Sequence, residues 1–140
     1  MSMNDISERP EAGVELGGTI AKITNLMSNR SGPLPLSGTF TTRGGALLIL
    51  VSGSGTRRAD VLPGIIGMDI RLSDKEIGKC QVFVDEQGKR GTFVPVFITV
   101  SGMSPGEHAL LLHPFSRTET DDNDFFNVTI IEYETTGDEL

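Results

Sequence analysis

The acidic residues near the C-terminus are the part of this sequence whose types and spacing most clearly could do chemistry. Asp121, Asp122 and Asp124 surround Asn123, and an apolar run begins at Phe125. Calcium binds six to eight oxygen atoms, which clustered carboxylates and amides supply. Asp and Asn are also favoured in turns, because their side chains hydrogen-bond to the local backbone. The pattern therefore predicts either a calcium loop over residues 121–124 or a polar turn that precedes a strand.

A second stretch that could carry out chemistry is GMSPG, residues 102–106. It matches the G-x-S-x-G pattern of hydrolases, in which Ser104 would be the nucleophile. In those enzymes the residue after the serine donates its backbone N–H to the oxyanion. Here that residue is Pro105, which has no N–H. The sequence therefore predicts a Pro-Gly turn between strands and no catalytic serine.

The two histidines, His108 and His113, are the remaining candidates for metal or acid-base chemistry. Residues five apart in one strand point to opposite faces. These two therefore cannot bind one metal ion together unless a bulge changes the alternation. No catalytic residue is predicted. The alternative of a small cupin-like metal-dependent enzyme would require both histidines to converge with acidic residues.

Composition limits the classes of protein that this chain can belong to. Its 140 residues suffice for one domain, and its net charge of −7 argues against nucleic-acid binding, which depends on neutralising phosphates. The longest apolar run, Ala46 to Val51, is too short to span a bilayer. The N-terminus lacks the basic and apolar regions of a secretory signal. We therefore expect a soluble protein of the cytoplasm, or of a virion or exported assembly, with no membrane partner.

Cys80 is the single cysteine of the chain, so no internal disulfide can form. Free cysteines are usually buried and behave as small hydrophobic residues. We expect Cys80 to lie in the core.

Alternating apolar residues predict strands from Ser37 onward. One predicted strand carries four apolar residues on a single face: Ile66, Met68, Ile70 and Leu72. Glycine- and proline-rich turns separate the apolar segments, and no segment has helical spacing over three turns. This pattern is typical of an all-β protein, and we predict an antiparallel β-sandwich of jelly-roll type with about eight strands. A closed antiparallel barrel is the alternative.

The chain is predicted to have three parts. Residues 1–36 form an N-terminal arm and first strand, partly extended, because Pro33 and Pro35 cannot donate hydrogen bonds to a sheet. Residues 37–134 form the jelly-roll domain, and residues 135–140 form an acidic tail.

The last predicted strand is apolar on both faces. Phe126, Val128 and Ile130 share one face, and Phe125, Ile131 and Tyr133 share the other. A sheet that is apolar on both sides needs its outer face covered. Either a second subunit covers it, which predicts a homo-oligomer such as a trimer, or the N-terminal arm does.

The segment from Gly67 to Tyr133, with "GMDIRLSDKEIGKCQVFV" followed by "VSGMSPGEHALLLHPF" and the acidic turn, resembles jelly-roll β-sandwich modules of bacteria and phages. More loosely, it is similar to the C1q- and TNF-like group. The resemblance rests on turn residues and alternation. It implies a sandwich fold, a trimeric state and ligand binding, and it assigns no binding residue.

These observations favour a non-enzymatic module that self-associates and either binds a ligand or serves as a structural part of an assembly. Carbohydrate is the favoured ligand class, with a protein ligand as the other choice. The absence of Trp and the presence of a single Tyr, Tyr133, weaken the expectation of a sugar-stacking site. No cofactor is expected apart from the calcium ion considered above.

Overall fold

Eleven strands and no helix make up residues 18–86 and 88–134, which are the residues that the computed structural model describes. This part of the chain therefore contains no helix that could cross a membrane. The strands are β1 (Ile20–Ser31), β2 (Leu36–Thr42), β3 (Gly45–Ser52), β4 (Ser54–Arg57), β5 (Gly64–Leu72), β6 (Lys75–Val84), β7 (Arg90–Thr92), β8 (Val96–Met103), β9 (Gly106–Pro114), β10 (Thr118–Glu119) and β11 (Phe125–Tyr133).

The eight long strands form two antiparallel four-stranded sheets. Sheet A has the order β1-β11-β3-β8, and sheet B has the order β2-β9-β5-β6. Counted along the chain, the long strands pair first with eighth, second with seventh, third with sixth and fourth with fifth. This is the pairing of a long hairpin rolled into two sheets, which defines a jelly roll. The predicted antiparallel jelly-roll sandwich is confirmed, and the barrel alternative is not, because both sheets end in open edges.

Three short strands form a third sheet with the order β10-β4-β7. These strands were not predicted from the sequence, because two to four residues give too short a pattern to detect. The third sheet packs against the sandwich through Phe93, which directly follows β7 and is completely buried.

The core lies between the inner faces of the two sheets. In β5, the four alternating residues of the predicted strand are all buried. Leu47, Ile49, Val51, Phe126, Val128 and Ile130 contribute the facing layer from sheet A. Gly53 is required by close packing, since a Cβ atom there would lie 2.5 Å from the ring of Phe126.

Strand β1 belongs to the sandwich, although the sequence placed it in the separate segment 1–36. It pairs with β11 from Ile20 opposite Tyr133 to Ser31 opposite Phe125, with three irregularities in register. The pairing partner lies about a hundred residues away, so no local pattern reveals it. Residues 1–17 of the predicted arm and residues 135–140 of the predicted tail lie outside the described residues.

Cys80 lies on the inner face of β6 and has no solvent exposure. Its thiol donates a hydrogen bond to the carbonyl oxygen of Val94, at 3.1 Å. Burial raises the pKa of the Cys80 thiol to about 12, since an apolar environment disfavours the thiolate.

We therefore predict that Cys80 of the folded protein does not react with the thiol reagent DTNB near pH 8. The reagent cannot reach the buried sulfur, and the thiol is not in the reactive thiolate form at this pH. Absorbance of the released thionitrobenzoate measures the reaction. One equivalent should react rapidly once guanidinium unfolds the chain. Complete labelling of the native protein within seconds would contradict the buried position.

Candidate functional site

Asp124 is a fully buried carboxylate at the start of β11. Its side chain has no solvent exposure. Oδ1 accepts hydrogen bonds from the Ser54 hydroxyl, at 2.7 Å, and from the Arg90 guanidinium, while Oδ2 accepts one from the backbone N–H of Asp121, at 2.9 Å. Asp124 therefore joins the beginning of β11 to β4 and β7.

The rest of the acidic stretch is a turn closed by its own side chains. The Asp121 carboxylate accepts a hydrogen bond from the backbone N–H of Asn123, at 2.8 Å, and the N–H of Asp124 donates to the Asp121 carbonyl. Arg90 also lies 3.7 Å from the Asp121 carboxylate. The hydrogen bond to Asp124 raises the pKa of Arg90 above its ordinary value. Asp122 and Asn123 point into solvent.

This geometry fits the polar turn better than the calcium loop. A calcium ion bound to Asp124 would compete with the Arg90 guanidinium for Oδ1. Within the described ranges, 18–86 and 88–134, no three His, Cys, Asp or Glu residues group closely enough to hold a metal ion. Of the two alternatives for residues 121–124, the calcium loop stays an untested prediction, and the hydrogen bonds of Asp124 lead us to expect the polar turn.

His108 and His113 lie on opposite faces of β9. His108 is on the face of the buried Leu110 and Leu112, whereas His113 is exposed. The His108 ring connects two turns, because Nε2 donates to the carbonyl oxygen of Ser104, at 2.8 Å, and Nδ1 lies 3.0 Å from the Ser73 hydroxyl. A carbonyl oxygen only accepts hydrogen bonds, so Nε2 must carry a proton.

Ser104 lies in the turn between β8 and β9, and its carbonyl oxygen forms the contact with His108. Gly102 and Gly106 have positive φ angles of 73° and 124°, which the turn requires and other residues rarely adopt. The GMSPG stretch is therefore a turn, and the geometry of a nucleophile with its base is not formed.

A cleft of about 520 Å³ opens between β6 and β8, at the edges of the two sheets. Its apolar lining includes Ile77, Ile98 and Val100, and its rim includes Ser73 and His108. Sequence reasoning missed the cleft because strands of different sheets form its two walls. In the structure, β8 alternates between half-buried and exposed residues over most of its length, with none fully buried, as expected of a strand at an open edge.

The outer face of sheet A carries no charged side chain at the positions where the strands pair regularly. Its residues are Ile20, Ile23, Asn25 and Ser31 of β1, Phe125, Asn127, Thr129, Ile131 and Tyr133 of β11, Leu48, Leu50 and Ser52 of β3, and Phe97 and Thr99 of β8. Phe97 is 73% exposed and Ile23 is 56% exposed. We call this surface the apolar A face.

The outer face of sheet B is charged instead. Lys79 on β6 contacts the carboxylates of Glu76, at 2.8 Å, and Asp69, at 2.9 Å. These two carboxylates raise the pKa of Lys79, with the hydrogen bond to Glu76 as the largest cause. Arg71 and Glu107 lie on the same face. The two sheets therefore have outer faces of opposite character.

Comparisons with known proteins support the fold. A scan against protein-family models matched none, and no curated protein matches the chain. Among solved structures, the tripod (BppUct-A-L) from the baseplate of bacteriophage Tuc2009 has a TM-score of 0.51 at 12% identity, over 94% of this chain and 81% of that chain.

Two further similar structures are carbohydrate-binding modules. The CBM36-1 domain of a multidomain xylanase from the hindgut metagenome of Trinervitermes trinervoides has a TM-score of 0.41 at 9% identity, over 81% of this chain and 98% of that chain. A CBM36 module in complex with calcium and xylotriose has a TM-score of 0.36 at 11% identity, over 81% of this chain and 100% of its own. At such identities these likenesses concern the fold alone. The similarity to C1q- and TNF-like proteins stays a prediction.

Replacing Asp124 by Asn should lower the free energy of unfolding by about 2 kcal/mol, because the uncharged amide bonds more weakly to Arg90, and its NH2 group cannot accept the hydrogen bond that Oδ2 receives from the Asp121 N–H. Asp122→Asn is the matched control, since Asp122 is exposed, and should change stability by less than about 0.5 kcal/mol. Chemical denaturation measures both variants. Equal effects at the two positions would refute the structural role of Asp124.

Calcium should leave the thermal unfolding midpoint unchanged relative to an EDTA sample, because Asp124 is already bonded to Arg90 and Ser54. A ligand that binds only the native state raises the midpoint. A rise of several degrees that disappears in an Asp122→Ala, Asp124→Ala double variant would instead establish the calcium loop.

Proposed function

We propose that this chain is a non-enzymatic binding and assembly module that self-associates through the apolar A face. The observation that carries the proposal is that the outer face of sheet A has no charged side chain at its regularly paired positions and exposes large apolar residues, while its inner face forms the core. Its inner residues, such as Ile49 and Val128, form the core, while outer residues such as Phe97 and Ile23 are exposed. Large exposed apolar patches on soluble proteins mark interaction sites.

A second copy of the chain is the partner that fits this face. Each copy has a net charge of −7, so copies repel one another wherever charged surfaces approach. The apolar A face contributes no charge of its own, so repulsion is weakest there. Burial of apolar surface contributes about 25 cal/mol per Å² to association.

The size of the face is in the range of a specific interface. Four strands about 4.8 Å apart, with about eight residues each rising 3.3 Å, cover roughly 500 Å² in the plane of the sheet. Side-chain relief increases this area towards the approximately 800 Å² that each partner buries in a standard interface. A trimer is the stoichiometry that we propose, and coverage by the N-terminal arm is the alternative.

The fold supports an assembly role only in a general way, because the bacteriophage tripod with this fold belongs to a larger assembly, the baseplate. For the ligand we propose a carbohydrate. The cupin-like enzyme is not favoured, since His108 and His113 lie on opposite faces of β9 and do not converge.

Phe97→Glu should reduce the mass of the assembly to that of a single 15.0 kDa chain, because it places a carboxylate in the proposed interface. Phe83→Glu is the matched control, since Phe83 is 60% exposed on the outer face of sheet B. Light scattering after size exclusion measures the mass, and the control should keep that of the unmodified protein.

Three results would count against this interface. An unmodified protein with the mass of one chain at micromolar concentration contradicts self-association. A Phe97→Glu protein that remains associated moves the interface to another surface. If the full chain is a monomer and its apolar A face becomes exposed only when residues 1–17 are deleted, the N-terminal arm, and not a second copy, covers that face.

A further inference from the structure

We propose that the cleft between β6 and β8 is the ligand site of this module and that it takes a neutral sugar. This inference rests on the proposed function as a binding module. It assigns a location to the proposed carbohydrate ligand and specifies that the sugar is neutral.

The cleft lies where the jelly roll is open. β8 is one of the two edge strands of sheet A and β6 is one of the two of sheet B, so neither has a hydrogen-bonded neighbour on this side. The sheets meet at Gly78, where an added Cβ would lie 2.8 Å from the Ile98 side chain. Beyond this contact the sheets separate towards the two turns linked by His108. The volume of about 520 Å³ is within the usual range of roughly 300 to 1,000 Å³ for ligand sites.

The walls near these turns are held rigidly. Ser73 and Asp74 have positive φ angles of 51° and 70°, as in the type I′ turns that connect tight hairpins. The backbone N–H of Ser73 donates to the Ala109 carbonyl, at 2.9 Å. The His108 ring then joins this turn to the Ser104 turn through its two nitrogens. A site with such fixed walls loses little entropy when a ligand binds.

The lining combines an apolar floor with a hydroxyl rim. The floor contains the aliphatic side chains of Leu72, Ile77, Ile98, Val100 and Met103. The rim contains the exposed residues Ser73 and Ser104, whereas Thr99, which also lines the cleft, has its side chain on the apolar A face. A sugar ring matches this division, since its C–H groups form an apolar face and its hydroxyl groups surround that face.

Charge and shape argue against other ligand classes. Glu76 at the rim is already paired with Lys79, at 2.8 Å, so it offers little to a cation. The cleft is open along one side between the two strand edges, so it would leave much of a fatty acyl chain in contact with water. The remaining charge, Lys75, is exposed at the rim.

The site should bind weakly when it acts alone. The described residues that line the cleft include no Phe, Tyr or Trp on which a sugar ring could stack. Several copies of the site on one self-associated particle would compensate, because linked sites bind a polymeric ligand with increased avidity. The apolar A face and the cleft would thus contribute to one function.

The first experiment titrates the full chain with maltotriose and with xylotriose while backbone amide signals are recorded by NMR. We expect millimolar binding that shifts the amides of residues 72–77 and 98–104, with small changes elsewhere. Dodecanoate is the comparison ligand and should leave these signals unchanged. Shifts with dodecanoate but with neither sugar would overturn the ligand class, and no shifts with any of the three would overturn the site.

A matched pair of variants tests the location. Val100→Phe fills the cleft and should weaken sugar binding by about tenfold or more. Val94→Phe makes the same change at a position that is 59% exposed outside the cleft and should leave binding unchanged. Unchanged binding in Val100→Phe would overturn the location. If that variant does not fold, the amide shifts of the unmodified chain decide the question.

The two proposals can fail independently. Amide shifts report sugar binding at a single cleft, whereas light scattering reports self-association. A monomeric Phe97→Glu protein that still shows the cleft shifts would support the sugar site even where binding to polysaccharide is weaker. Self-association without amide shifts at the cleft would support the assembly module and contradict the sugar site.

Discussion

The buried carboxylate of Asp124 is the interaction on which the rest of the structure depends. An ionised group without solvent is tolerated only when hydrogen bonds and an opposite charge compensate it, and Ser54, Arg90 and the Asp121 backbone provide both. This fixes the residue at which β11 begins. Because β11 is a central strand of sheet A, a slip of one residue would exchange its inner and outer faces. The carboxylate thus helps to determine which side of the sheet becomes the core.

The correct register of β11 also produces the asymmetry between the two sheets. Sheet B has a charged outer face, as expected of an antiparallel sheet that contacts water on one side. Sheet A has an uncharged, largely apolar outer face, in a chain with a net charge of −7. Like charges on the rest of the surface repel a second copy, while the apolar A face contributes no such repulsion. In the proposed self-association, this distribution would select one surface and disfavour the others.

Local patterns in the sequence predicted the sandwich, the buried face of β5 and the two apolar faces of β11. They also indicated that Ser104 lies in a turn, since Pro105 lacks an N–H. The features that were missed depend on distant partners. Arg90 reaches Asp124 from 34 residues away, and β1 finds its partner at the other end of the chain. The cleft is likewise formed by two sheets, and no single strand carries a signal for it.

Hydroxyl-radical footprinting of the unmodified chain tests most directly whether the apolar A face is covered. Phe97 and Phe83 are both exposed phenylalanines in one copy of the protein, so their oxidation rates should be similar in a dilute sample. On concentration, oxidation of Phe97 should fall strongly while that of Phe83 stays the same. Similar oxidation of both residues at every concentration, from a particle with the mass of one chain, would contradict this prediction.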